Sequence, residues 1–166
     1  MSTGGVVRVG IVGAGGIVRS RHLPGLKKIA GVELVAVSNR TVDSASRVAR
    51  EWDIAEVVPD WRDLVARDDI DAVVIGTWPY LHCPVTLAAL DAGKHVFCQA
   101  RMALNLDEAA QMLRAAMRSD RVTMLCPPPH GLKGDNVMRR LLGNGRVGKV
   151  HLIRLTSLSG VFADPQ

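Results

Sequence analysis

Apolar and polar positions along this chain fall into blocks of two kinds. Mostly apolar runs predict buried strands over Val6–Val12, Val32–Val37, Ile70–Gly76 and His95–Cys98. Val57-Val58 and Val122–Cys126 predict two more. Between them, apolar residues recur at helical spacing over Ile17–Ile29, Thr41–Trp52 and Trp61–Arg67, and helices are also expected over Pro84–Gly93 and 106–117. In the last of these, Leu106, Ala109, Ala110, Leu113, Ala116 and Met117 form the stripe expected to face the core. Punctuation agrees with the spacing. Pro84 sits in a first turn, where its missing N–H costs nothing, Gly93 closes a helix, and Asn105 precedes Glu108 by three residues, close to a capping box.

Strand and helix alternate almost to the end of the chain. That order predicts an α/β class: a doubly wound parallel sheet with helices on both faces, because right-handed crossovers place them there. A further helix is expected over Asp135–Leu142 and an alternating strand over Lys149–Leu158. That strand has no place in the first sheet, so it is expected to begin a second, truncated α/β domain.

Composition narrows the function classes. The 166 residues are 48% hydrophobic but only 4% aromatic, so the core must rest on aliphatic side chains. The net charge of +5 comes from dispersed Lys and Arg, with no basic run interleaved with aromatics. This argues against a nucleic-acid partner and suits a phosphate-bearing ligand. Cys83, Cys98 and Cys126 form no CxxC pair, and His22, His82, His95, His130 and His151 show no metal-ligand spacing. No metal or disulfide framework is expected, and reduced thiols fit the cytoplasm. No apolar run approaches the ~20 residues that span a bilayer, and the N-terminus lacks the basic and apolar regions of a signal peptide.

The chemistry concentrates where the first strand meets the first helix. Gly13-Ala14-Gly15-Gly16-Ile17 follows the strand directly. Free amides and the positive end of a helix dipole at such a turn hold a pyrophosphate. Gly13 permits the tight turn and Gly15 admits a close ligand, while Val18 stands where a third small residue is usual. Ligands of doubly wound sheets bind outside the carboxyl ends of the strands. The loops expected there are 13–17, 38–41, 77–82, 98–102 and 127–134. Loop 38–41 reads Ser38-Asn39-Arg40-Thr41, without the carboxylate that binds the ribose hydroxyls of NAD. Ser38 and Thr41 can donate hydrogen bonds and Arg40 a charge-assisted one, which favours NADP over NAD. The missing acid also argues against a methyltransferase using S-adenosylmethionine.

Several stretches resemble the N-terminal half of the Gfo/Idh/MocA oxidoreductase family. They are Val9-Gly10-Ile11-Val12-Gly13-Ala14-Gly15-Gly16-Ile17, Arg21-His22-Leu23-Pro24, Val32–Val37, Ile70–Thr77, Ala92-Gly93-Lys94-His95-Val96, Met102-Ala103 and Gly145–Val150. The resemblance implies a Rossmann domain over 1–126 that binds a nicotinamide dinucleotide. It implies a crossover over 127–148 and the start of a substrate domain over 149–166. It further implies hydride transfer to or from a sugar-like or other small polar substrate, with any oligomer forming through the second domain. Thr77, Trp78, Pro79 and His82 match the loop along the cofactor, and Gln99 begins the tripeptide after the fifth strand.

That tripeptide departs from the family pattern. The family has Glu-Lys-Pro, with the lysine near the nicotinamide, and this chain has Gln99-Ala100-Arg101. Ala100 cannot shuttle a proton. A guanidinium such as that of Arg101 keeps its own proton near neutral pH but can stabilise an oxyanion. His130, after Pro127-Pro128-Pro129, is the other candidate acid/base. Two functions are therefore expected in competition: the nucleotide-binding half of an oxidoreductase, weakly active alone, or a redox-silent dinucleotide-binding module. A basic scaffold without a small ligand is a weaker third.

Overall fold

The computed structural model describes residues 5–126, 134–154 and 156. The chain divides into two units, 1–128 and 129–166. In the first unit, six strands are all parallel: β1 (Val7–Val12), β2 (Val32–Ser38), β3 (Glu56–Val57), β4 (Ala72–Ile75), β5 (His95–Cys98) and β6 (Thr123–Leu125). Their order in the sheet is β3-β2-β1-β4-β5-β6. This is the order of a Rossmann sheet, and it reverses direction between β1 and β4. The expected α/β doubly wound class is borne out.

Two apolar clusters cover the two faces of the sheet. One gathers Ile11, Val18, Leu23, Leu34, Val37, Ala45, Val48 and Val74, joining β1, β2 and β4 to α1 (Leu23–Leu26) and α2 (Val42–Trp52). The other gathers Val12, Ala36, Leu64, Val73, Ile75, Val85, Val96 and Met112, joining the same strands to α3 (Trp61–Val65), α4 (His82–Asp91) and α5 (Leu106–Arg118). Val73, Val74 and Ile75 alternate between the clusters, as the two-residue period of a strand requires. Gly10 on β1 makes room for α3, since a Cβ there would lie 2.7 Å from Leu64 Cδ2.

Local caps follow the sequence. The Thr41 side chain accepts the Ser44 N–H at the start of α2, and Asn105 accepts the Glu108 N–H at the start of α5. The Glu108 carboxylate takes the Leu104 N–H rather than that of Asn105, so the capping box is displaced by one residue. The first helix is shorter than its periodicity predicts. It ends at Leu26 and contains a π turn over Val18–His22, where the Leu23 N–H donates to the Val18 carbonyl. Pro24 explains the widening: it has no N–H for Ser20, and its ring would press on that carbonyl.

The stripe expected on α5 is corrected. Leu106, Leu113 and Met117 are exposed, and the buried residue is Met112, with Ala115 packed beside it. The buried face therefore centres on Met112 and Ala115, turned away from the expected stripe. In the second unit, α6 (Asp135–Gly143) matches its predicted span within a residue. Residues 149–154 form no strand, contrary to the alternation there, because an alternating segment needs a paired neighbour. Residues 155, 157 and 158 of that expected strand, like His130, lie outside the described residues.

Candidate functional site

The glycine turn stands at the point where the strand order reverses. Gly13 has φ +87°, and a Cβ there would lie 2.6 Å from the Thr77 amide nitrogen, so only glycine fits. The Gly13 N–H donates to the Ser38 carbonyl (2.8 Å), and the Ala14 N–H donates to Asn39 Oδ1 (2.7 Å). The first amides of the turn are thereby tied to the end of β2. Asn39 uses its other end as well, since its amide donates to Ser44 Oγ (2.9 Å) at the start of α2.

The amides of Gly16, Ile17 and Val18 are differently placed. The first helical bond of this segment runs from the Arg19 N–H to the Gly15 carbonyl (3.0 Å). The three N–H groups before Arg19 have no acceptor within the helix. A Cβ on Gly16 would meet nothing within 4 Å, and one on Gly15 only the Gly76 carbonyl at 4.0 Å. Open space thus lies beside the unpaired Gly16 and Ile17 donors, as an anionic ligand requires, whereas Val18 is shut off from it. Val18, in the position of the usual third small residue, is fully buried. Its bulk is absorbed across the sheet: a Cβ on Gly76, just beyond β4, would overlap Val18 Cγ2.

A cleft of about 830 Å³ opens from this turn. It is lined by Gly13, Ala14, Gly15, Gly16 and Ile17 from the turn, by Ser38, Asn39 and Arg40 after β2, and by Thr77 and Trp78 after β4. Each of these is a residue expected from the sequence. Thr41, Pro79, His82 and Gln99 do not line it. Thr41 serves as the α2 cap, which leaves its own O–H uncommitted. The cleft also takes in Pro59, Asp60, Trp61 and Arg62 from the end of β3. Periodicity did not single these out. Their signal was positional, since the loop after a third parallel strand also reaches the carboxyl edge beside β2.

Beyond β4 and β5 the side chains brace one another. His82 is fully buried, with Nδ1 2.6 Å from the Arg101 carbonyl and Nε2 3.0 Å from the Thr77 carbonyl. It ties loop 77–82 to loop 98–102 from beneath. Gln99 Oε1 lies 2.7 Å from His22 Nε2, and the His22 ring meets Phe97 edge-on at 5.1 Å. A carboxamide oxygen only accepts, so His22 donates through Nε2. Ala100 is half-buried and Arg101 is exposed. Burial pushes the neighbouring Cys98 thiol up to about 12, which keeps it protonated and inert. Among the described residues, no group of three or more His, Cys, Asp or Glu side chains is placed to hold a metal.

Residues 7–126 match the family model described as "Oxidoreductase family, NAD-binding Rossmann fold", Gfo/Idh/MocA. The chain belongs to that family. It is 31% identical over 147 residues to an inositol 2-dehydrogenase of Gluconacetobacter diazotrophicus, covering 87% of this chain and 44% of the relative. It is 32% identical over 119 residues to a 4-carboxy-2-hydroxymuconate-6-semialdehyde dehydrogenase of a Sphingobium strain, covering 72% and 38%. Among solved structures, a 3-ketoreductase from Actinomadura kijaniata in complex with NADP superposes with a TM-score of 0.78 at 27% identity, over 87% of this chain and 46% of that one. The chain therefore spans less than half the length of these relatives.

Within this Gfo/Idh/MocA domain, the cleft joins the phosphate turn to the ends of β2 and β3 on one side and to Thr77 and Trp78 on the other. Among the described residues, no helix is long and apolar enough to cross a membrane.

Proposed function

We propose that this chain is the nucleotide-binding half of an NADP-preferring oxidoreductase. Its hydride transfer would act on a sugar-like or other small substrate bearing a hydroxyl or carbonyl. Residues 1–126 act as the dinucleotide domain and 127–148 as a crossover to the substrate domain beginning at 149. The observation that carries the reading is the makeup of the cleft beyond β2. Ser38, Asn39 and Arg40 line it together with the open amides, and residues 38–41 include no carboxylate.

On this reading the Gly16 and Ile17 amides receive the pyrophosphate, and Arg40 with Ser38 receives the adenosine 2′-phosphate. Trp78 and Thr77 flank the nicotinamide end. A bound nicotinamide supplies hydride donor or acceptor chemistry there. His82 keeps loop 77–82 against loop 98–102, so the cleft wall holds its shape. The 31% identity to an inositol 2-dehydrogenase supports a polyol-like substrate class. Titrating the chain with NADPH and NADH, following its tryptophan fluorescence, tests the reading. NADPH should bind more tightly, and absence of binding by either would end it.

A second reading is a redox-silent dinucleotide module. It is favoured by Ala100, which stands where the family's lysine belongs, and by Gln99, which is committed to His22. Ala100→Lys, placed in the full-length protein, separates the two. A large gain in rate marks chemistry lost at this position, and no gain marks a site rebuilt elsewhere.

A further inference from the structure

Asp60 and Arg62 reach the cleft from the loop after β3, on the same side as Ser38 and Arg40. The two are not equally free. Asp60 Oδ1 accepts the Arg62 N–H (2.9 Å) and so caps α3, which fixes the carboxylate in place. The Arg62 guanidinium lies 4.5 Å from the centre of the Trp61 ring, and Trp61 is anchored in the core. Its bonds to Asp60 are long, 3.3 Å to Oδ1 and 3.5 Å to Oδ2. The two less exposed Arg–Asp pairs close more tightly, Arg67 on Asp69 at 2.8 and 2.6 Å and Arg8 on Asp71 at 2.7 Å, whereas the exposed Arg47–Asp43 pair is as long as this one, at 3.4 Å. Charge-assisted bonds of full strength run at about 2.7–2.9 Å. Arg62 is therefore held loosely by an acid that cannot follow it, and it is 68% exposed.

We infer that Arg62 and Asp60 form a specificity-determining pair for the adenosine 2′-substituent, with Arg62 a second cation for a 2′-phosphate and Asp60 the opposing charge that it screens. This rests on the NADP reading above and deepens it. A fixed carboxylate facing the ribose would repel a 2′-phosphate and accept from a 2′-hydroxyl. Arg62, stacked on Trp61 and weakly paired, can turn its free N–H donors to the phosphate while staying close enough to offset the acid. The preference for NADP is then set by the balance of these two residues as well as by Arg40.

The test measures NADPH and NADH affinity for the chain and three variants. Arg62→Ala should weaken NADPH about tenfold and change NADH less than about twofold, because it removes a cation and unmasks the acid. Asp60→Asn keeps a good helix cap while losing the charge, and should tighten NADPH about threefold. Asp60→Asn combined with Arg62→Ala should bind NADPH better than Arg62→Ala alone. If the unmodified chain prefers NADPH but the variants leave that preference unchanged, this inference falls and the NADP reading stands. If the unmodified chain shows no preference for NADPH, that reading falls and this inference falls with it.

Discussion

Around the ends of β1, β2 and β3 the cleft presents open amides, the hydroxyls of Ser38 and Ser44, two guanidinium groups and one carboxylate. Around the end of β4 it presents Thr77 and two exposed aromatic rings, Trp78 and Tyr80. The first region is furnished to recognise charge. In the second, His82 faces two carbonyls and Gln99 faces His22, while the Thr77 hydroxyl donates to the Trp78 carbonyl and Arg101 is exposed. On the reading proposed above, recognition and chemistry fall to different strands of one sheet, joined where Gly13 meets Thr77 and Val18 meets Gly76.

The strongest way to break this contrast is at the seam where the regions meet. Gly76→Ala sets a methyl group against Val18 and 2.6 Å from the Gly13 carbonyl. It should cost about 3 kcal/mol of stability, read as a lower urea midpoint, since overpacking in a filled core has that cost. Adding Val18→Ala should recover only part of the loss, because the Gly13 contact remains. A midpoint equal to that of the unmodified chain would show that the two regions are not locked together.

Next in size is a change confined to the recognition region. Asn39→Asp keeps the acceptor for the Ala14 N–H but places a carboxylate at the end of β2. The NADPH-to-NADH affinity ratio should move about tenfold or more toward NADH. Arg40→Ala should weaken NADPH about tenfold and leave NADH nearly unchanged. Equal losses for both cofactors would place Arg40 outside 2′-phosphate recognition.

The smallest effect lies at the opposite edge of the sheet. Arg8 hydrogen bonds, from both its side chain and its backbone, hold the Asp71 carboxyl down to about 2. An unfolded aspartate titrates near ~3.9. The folded value is the lower one, so the contribution is complete above about pH 4 and is lost as pH falls toward about 2. Asp71→Asn should lower stability at neutral pH slightly and flatten the acid limb between about pH 4 and 2. Cofactor affinity at neutral pH should not change, which would confirm the independence of the two edges.

The sheet was legible where burial on both sides leaves a mostly apolar run, as in β1, β2, β4 and β5. The glycine turn and the absence of an acid at 38–41 could be read directly, because they depend on residue type alone. The face of α5 could not, since the helix offers more than one apolar stripe and only packing against the rest of the core turns Met112 and Ala115 inward. Pro24 was visible, but its effect on the carbonyl ladder was not. Asp60, Trp61 and Arg62 escaped notice as site residues because 61–67 was legible only as a stretch of helical spacing, and the loop after β3 was not counted among those at the carboxyl edge. His82 matched a motif but is fully buried, so it shapes the loop rather than facing the cleft.

Val18 and Gly76 make two distant letters of the sequence into one heritable character. A search that reads the fingerprint only along residues 13–18 would mark this chain down for its valine. The missing smallness has moved to the other side of the contact, where such a search does not look. A small residue at 18 would remove one of the two contacts that hold position 76 to glycine, and the Gly13 carbonyl, 2.6 Å from a Cβ there, would keep the other.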